Sequence, residues 1–453
     1  MKRLLTIAAL TGAALLAALA TPRAQAPHIY AITNARIITV AGAPVENGTI
    51  VFRDGIIDQV GSGVAVPPTA RVYDGKGLTV YPGLIDMGNT SAVSIAAAAT
   101  PTGRTTEDVE RAKRDALLRA HVRAAEYLAV DAPAMKKLAA AGITAVLAVP
   151  AGQAFAGQSA LVNVALPEDD PQIGALADVR KGQPILRTPV AMHLAVPENA
   201  PGAAYPNSLM GVIAFVRQSL IDAQYYGALH ERASRARAGA ARPMFDPALE
   251  ALQPALGGKM PVVYRADTVR EIDRALAMTR DFKLDVILAG AREADQIASE
   301  LKTGNIRVIY SLRYPERPKS LAPDGDEPLR VLRERANAPK TPAALQKAGI
   351  VFAFESGGLE DPKDFVKNAA KAVKAGLAAD VALRALTIDA ATIAGAADRV
   401  GSLEKGKIAN VIVTDGDLFG EKMQIKHVFV DGRPVSLEES GGAEGRRGRP
   451  TGR

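Results

Sequence analysis

From residue 78 to residue 354 the chain alternates short apolar runs with helical stretches, and that rhythm constrains its fold more than any other feature. The apolar runs, each a candidate strand, fall at 78–85, 143–149, 189–194, 260–264, 285–289, 306–310 and 350–354. Helical patterns lie between them, among them 105–128, 270–280 and 292–301. Thr268 with Glu271 is a capping box, in which each partner satisfies a backbone N–H that the first helical turn leaves free. Strands separated by helices return to one sheet in parallel, and the commonest closed arrangement of such units is a (β/α)8 TIM-like barrel. One apolar run, 156–164, breaks the rhythm and reads as an inserted hairpin.

The two ends have another texture. Residues 28–81 are short β-rich pieces, with Asn47-Gly48 and Asp54-Gly55 as hairpin signals. The pattern returns at 410–414, 424–430 and 433–435, around Asp431-Gly432. Two such ends can share a domain if the middle is a self-contained insert. The expected fold class is therefore α/β: a barrel over 82–399, plus a small composite β-sandwich of 28–81 and 400–436. Residues 437–453, rich in Gly, Glu and Arg, lack apolar periodicity and are expected to be a disordered tail.

Residues 1–20 read as a secretory signal. Lys2-Arg3 precedes an apolar run that ends in the small residues Ala18 and Ala20, and a second cleavage pattern ends at Ala26. The run is short and Ala-rich for a bilayer core of ~30 Å, so the expectation is processing, no stable membrane insertion, and a periplasmic or secreted protein. The 55 Lys+Arg and 48 Asp+Glu give a net charge of +7. Two of those charges sit in the leader (Lys2, Arg3) and four in the tail (Arg446, Arg447, Arg449, Arg453), which leaves +1 between them. A nearly neutral body gives a nucleic-acid partner little electrostatic support. With no Cys, thiolate metal sites, disulfides and cysteine nucleophiles are excluded, and only five His remain for a transition metal.

Four stretches carry a resemblance: Gly48-Thr-Ile-Val-Phe-Arg-Asp-Gly-Ile-Ile-Asp, Tyr81-Pro-Gly-Leu-Ile-Asp86, Glu293-Ala-Asp-Gln-Ile-Ala-Ser-Glu-Leu, and Ala397-Asp-Arg-Val-Gly-Ser-Leu-Glu-Lys-Gly-Lys-Ile-Ala-Asn-Val-Ile-Val. In them, and over roughly residues 28–436, the chain resembles the amidohydrolase superfamily, in its imidazolonepropionase-like and dihydroorotase-like branch. The resemblance implies one or two divalent metals at the C-terminal ends of the barrel strands. Their ligands would be His-x-His on strand 1, a carboxylated Lys on strand 4, His on strands 5 and 6, and Asp on strand 8. The metal lowers the pKa of a bound water towards ~7, so that hydroxide attacks an amide carbonyl.

At those positions this chain departs from the pattern. The His-x-His window after Asp86 reads Met87-Gly88-Asn89-Thr90. The strand 5 position is Arg265, strand 6 is Gly290, strand 4 aligns with His193 and strand 8 with Glu355. Only His193 and Glu355 could ligate, short of the three protein ligands that a catalytic zinc keeps. No cofactor is therefore expected, and zinc or another divalent ion only if the site is rebuilt. His28, His121, His230 and His427 lie in the leading β segment, a helix, a connecting helical region and the returning β segment, away from that mouth.

Arg265 stands where metal charge would be and is expected to pair with Glu355. Arg292 and Arg313, at the ends of strands 6 and 7, could complete an anion-binding mouth, or could be loop charges paired with Glu293 and Glu316. Three functional readings follow. One is a hydrolase of non-peptide, cyclic-amide-type C–N bonds, with Glu355 moving protons and Arg265 polarising the carbonyl. Another is an exported pseudoenzyme binding a small molecule, with an anion as one option, through Asp86, Asn89, His193, Arg292 and Arg313. The third is a subunit that pairs with itself or with an intact metal-bearing relative.

Overall fold

A computed structural model of the protein describes residues 28–95, 105–129, 132–164, 185–196, 205–235, 242–322 and 324–437. The leader read at 1–20 and the tail beyond 437 lie outside the described residues.

Five strands open the chain: β1 (Ile29–Ile37), β2 (Val45–Arg53), β3 (Ile56–Gly61), β4 (Arg71–Asp74) and β5 (Leu78–Pro82). Ten follow: β6 (Leu84–Asn89), β7 (Ile143–Ala148), β8 (Ala154–Gln158), β9 (Ala160–Asn163), β10 (Ile185–Arg187), β11 (Met192–Ala195), β12 (Val262–Ala266), β13 (Val286–Gly290), β14 (Arg307–Ser311) and β15 (Phe352–Glu355). The chain returns through β16 (Val411–Asp415), β17 (Gln424–Val430) and β18 (Arg433–Pro434).

The two ends build one eight-stranded sheet, ordered β18-β17-β16-β5-β1-β2-β3 with β4 on β1. Their joint is β16 lying antiparallel on β5, with Val411 opposite Pro82. The expected composite of both ends is thus a single hydrogen-bonded sheet rather than two separately bonded ones. Asp54-Gly55 makes the expected tight turn, both residues at positive φ. Asn47-Gly48 does not: it lies inside β2, where left-handed Asn47 shifts the register against β1 as a bulge.

The run 78–85 is two strands in two sheets. Gly83 separates them, and glycine is required because a Cβ there would lie 2.1 Å from Thr144 Oγ1. The Gly83 N–H donates to the Asn410 carbonyl, and Asn410 Nδ2 donates to Asn163 Oδ1 at 2.7 Å. The first barrel strand is thereby tied to the returning segment.

In the middle, β11 to β15 are parallel neighbours in sequence order, as the alternation requires. β6 and β7 form a second parallel pair. The run expected as an inserted hairpin is instead the link between these groups. Broken only at Ser159, it pairs antiparallel with β7 through β9 and with β11 through β8. It holds the third place in the ring, running against its neighbours. Among the described residues the sheets do not close by strand pairing: β15 and β6 meet through a side chain, the Ser356 N–H donating to Asp86 Oδ1 at 2.8 Å.

Period-2 alternation divides the apolar residues between two cores. Val262, Tyr264, Val308, Tyr310, Phe352 and Phe354 pack outward with helix residues such as Ile272, Leu276 and Phe365. Met87, Leu147, Leu161, Val263, Ile287, Ala289, Ile309 and Ala353 share the inner core with Ala390, Ile393 and Val400. The helix Val269–Phe282 starts at the expected capping box. The helical pattern at 105–128 is shorter than expected, ending at Leu117, so His121 lies in a turn and not in a helix. At 292–301 a 3-10 turn, Ala294–Ile297, precedes the short helix Ala298–Thr303.

Candidate functional site at the strand ends

The inner parity that fills the core with Val263 and Ala353 continues, two residues on, to Arg265 and Glu355. These side chains and His193 at the end of β11 line a cavity of about 250 Å³. The rest of its wall is Met87 and Gly88 at the end of β6 with Thr90 just beyond it, Val149–Gly152 in the loop after β7, Ala156 on β8, and Leu194, Ala195, Val263 and Ala289. His193 therefore belongs to the lumen side.

Arg265 Nη2 donates to both Glu355 oxygens, at 2.8 and 2.9 Å. The pair is asymmetric: the Glu355 side chain is 2% exposed and that of Arg265 is 47% exposed, on the cavity side. Burial pushes the Glu355 carboxyl up to about 7; Arg265 opposes the shift, and Asp86 and Asp267 add to it. Glu355 in turn holds the guanidinium above its usual range. Burial, then the Arg265 charge, brings His193 down to about 3, so its imidazole is neutral at physiological pH. Its Nε2 is buried without a hydrogen-bond partner.

Asp86 sits one layer below, fully buried, with burial raising its carboxyl. Its Oδ1 accepts from the Gly88 and Ser356 N–H groups, and its Oδ2 has no partner. The arrangement offers a fixed cation, a neutral imidazole and a carboxyl group that titrates near neutrality.

Residues 315–435 match the sequence profile of the amidohydrolase family, a stretch that contains β15 and the returning segment. Among solved structures, an amidohydrolase from Thermotoga maritima MSB8 superposes with a TM-score of 0.69 at 22% identity, over 90% of this chain and 99% of that one. The chain has the fold of that amidohydrolase. A prolidase complexed with N-methylphosphonate-L-proline (TM-score 0.55, 16% identity, 90% and 99% coverage) is also similar. So is a putative prolidase from Bifidobacterium longum (0.52, 18%, 90% and 94%). No curated protein matches the sequence.

The expected site residues divide accordingly. Arg265, His193 and Glu355 share the cavity, and Asp86 supports it from below. Asn89 is buried with its Oδ1 accepting from Ser91 Oγ and the Ala92 N–H, which shapes the turn after β6. Arg292 is engaged elsewhere, at 3.1 Å from Asp267 and 2.8 Å from Glu334. Its pairing with Glu293 does not occur; that carboxylate accepts the Val269 N–H. Arg313 is exposed and, like Arg292, is outside the cavity lining. A three-arginine mouth is therefore not assembled. Its cause is local: Asp267 and Glu334 draw Arg292 away.

The remaining histidines have other surroundings: His427 packs edge-on against Tyr73, His230 lies against Tyr226, and His28 and His121 are exposed. The apolar wall from Met87, Val149 and Val263 was not identified from sequence. Gly152, in the loop after β7, forms part of the same wall.

The amidohydrolase metal positions can be tested against this geometry. At Gly88 a Cβ would lie 2.4 Å from Glu355 Oε2 and 2.8 Å from Glu355 Cβ. At Gly290, held at φ +85°, it would lie 2.4 Å from Asp267 Oδ1. The places of the first of the two strand 1 imidazoles, at Gly88, and of the strand 6 imidazole, at Gly290, are thus filled by carboxylates, and each carboxylate is bound to an arginine. Both Glu355 oxygens already accept from Arg265. Among the described residues no group of three His, Asp or Glu side chains converges as a metal would need. The donor set does not fit the family's metal centre.

Proposed function

We propose that this protein is an amidohydrolase-fold binder of a small molecule, and that its strand-end site works without the family's metal centre. The observation that carries this reading is the Arg265–Glu355 pair, packed over a Gly88 where the first of the two strand 1 imidazoles would collide with Glu355. A guanidinium balances the carboxylate where divalent charge would otherwise sit, but it delivers no hydroxide. The signal-like pattern at residues 1–20 supports a site of action outside the cytoplasm.

Hydrolysis of a cyclic amide or other non-peptide C–N bond is the second reading, and one feature favours it. A carboxyl titrating at about 7 suits a general acid or base, and Arg265 could polarise a carbonyl beside it. Incubation with hydantoins, dihydropyrimidines, imidazolones and acyl dipeptides, with and without added zinc or manganese, separates the two. The binding reading expects no release above the buffer control in any arm. Release that survives a chelator and disappears in Glu355→Gln would establish the second reading, and release that requires metal would overturn both.

A further inference from the structure

Arg265 spends one nitrogen on Glu355. Its Nη2 reaches both carboxylate oxygens, so no hydrogen bond is made by Nε or Nη1 to any described residue. The side chain is half exposed, into a cavity whose other walls are largely apolar. Beside it His193 is neutral and cannot compete as a second cation. The cavity volume corresponds to about eight water molecules, which excludes a polymer and admits a compact organic molecule.

Charge narrows the ligand further. A cationic ligand would face the guanidinium, and among the described residues of the lining a dianion such as phosphate would find one cation, already shared with Glu355. A monoanion with a planar pair of oxygens matches the donors left on the guanidinium edge. We infer that the cavity takes a small monocarboxylate with a branched apolar body, its carboxylate on Arg265 and its body against Met87, Val149 and Val263. This rests on the binding reading given above and names the ligand class for it.

A proton accompanies the ligand. A second carboxylate beside Glu355 disfavours its ionised form, so binding takes up a proton wherever free Glu355 is ionised. With Glu355 titrating at about 7, affinity falls about tenfold between pH 6 and pH 8.

Isothermal titration calorimetry on the full mature chain tests this, with 3-methylbutanoate, its neutral isostere 3-methylbutanamide, and inorganic phosphate as probes at pH 6 and pH 8. The expected result is binding of the carboxylate, about tenfold tighter at pH 6, at least tenfold weaker binding of the amide, and no heat with phosphate. Arg265→Met should abolish carboxylate binding. So should Arg265→Met combined with Glu355→Gln, which leaves no orphaned carboxylate to unfold the barrel. Equal binding of acid and amide, tighter binding of phosphate, retention of binding in both variants, or no heat with any probe would each overturn the monocarboxylate assignment. Stoichiometric divalent metal in the same preparation would instead overturn the binding reading on which it rests.

Discussion

Glu355→Gln is expected to be more stable than the wild type at pH 8, by about 3 kcal/mol, with the two converging near pH 4. In the unfolded chain Glu355 ionises at its ordinary value, 4.5, and in the folded chain at about 7. Below 4.5 both states hold the proton, and this group does not affect the balance. Between 4.5 and 7 the folded state alone keeps it, so stability falls as pH rises. Above 7 the loss is complete. Gln cannot ionise, yet it still offers Arg265 an acceptor oxygen, and the Arg265 side chain is exposed enough to hold its charge in solvent. Urea denaturation across this range reads the effect directly as a midpoint difference that grows with pH. Parallel curves for wild type and variant would show that Glu355 does not carry the raised value.

Placing the imidazoles that the resemblance implies should damage the fold. Gly88→His drives a side chain into Glu355, which is buried and held by Arg265, and overpacking of that kind costs about 1–3 kcal/mol, sometimes more. Gly290→His adds a conformational cost of roughly 1–2 kcal/mol, because the backbone there is left-handed and Asp267 occupies the Cβ position. Thr90→His is the control: Thr90 is exposed on the cavity wall, and the change should stay within about 0.5 kcal/mol. Thermal unfolding of the three variants should therefore rank them Thr90→His, Gly88→His, Gly290→His from mildest to most severe. A Gly88→His protein melting with the wild type would mean that Glu355 moves aside freely, and that the filled position is no barrier.

How much of this was legible in the sequence depends on the kind of interaction. Strands β12 to β15 lie within two residues of their apolar runs, because a strand buried on both faces announces itself locally. The break at Gly83 was not visible: what demands glycine there is Thr144, sixty residues away in sequence. The antiparallel third strand was missed for a similar reason, since direction is fixed by its pairing with β7 and β11 and not by its own residues. At the site, Arg265 and Glu355 were legible because the resemblance assigns them the strand 5 and strand 8 ligand positions. Arg292 was misassigned because its partners, Asp267 and Glu334, arrive from a neighbouring strand end and from a distant helix. The apolar cavity wall gave almost no signal, since Met87 and Val263 look like any other core residue.

The claim that an arginine–carboxylate pair stands in place of a metal centre is tested most directly by metal content. The purified chain would be equilibrated with zinc or manganese, freed of unbound ion and assayed by elemental analysis. The account predicts metal far below one ion per chain, unchanged when Thr90 is replaced by His. About one ion or more per chain, lost on replacing His193 or Glu355, would contradict it.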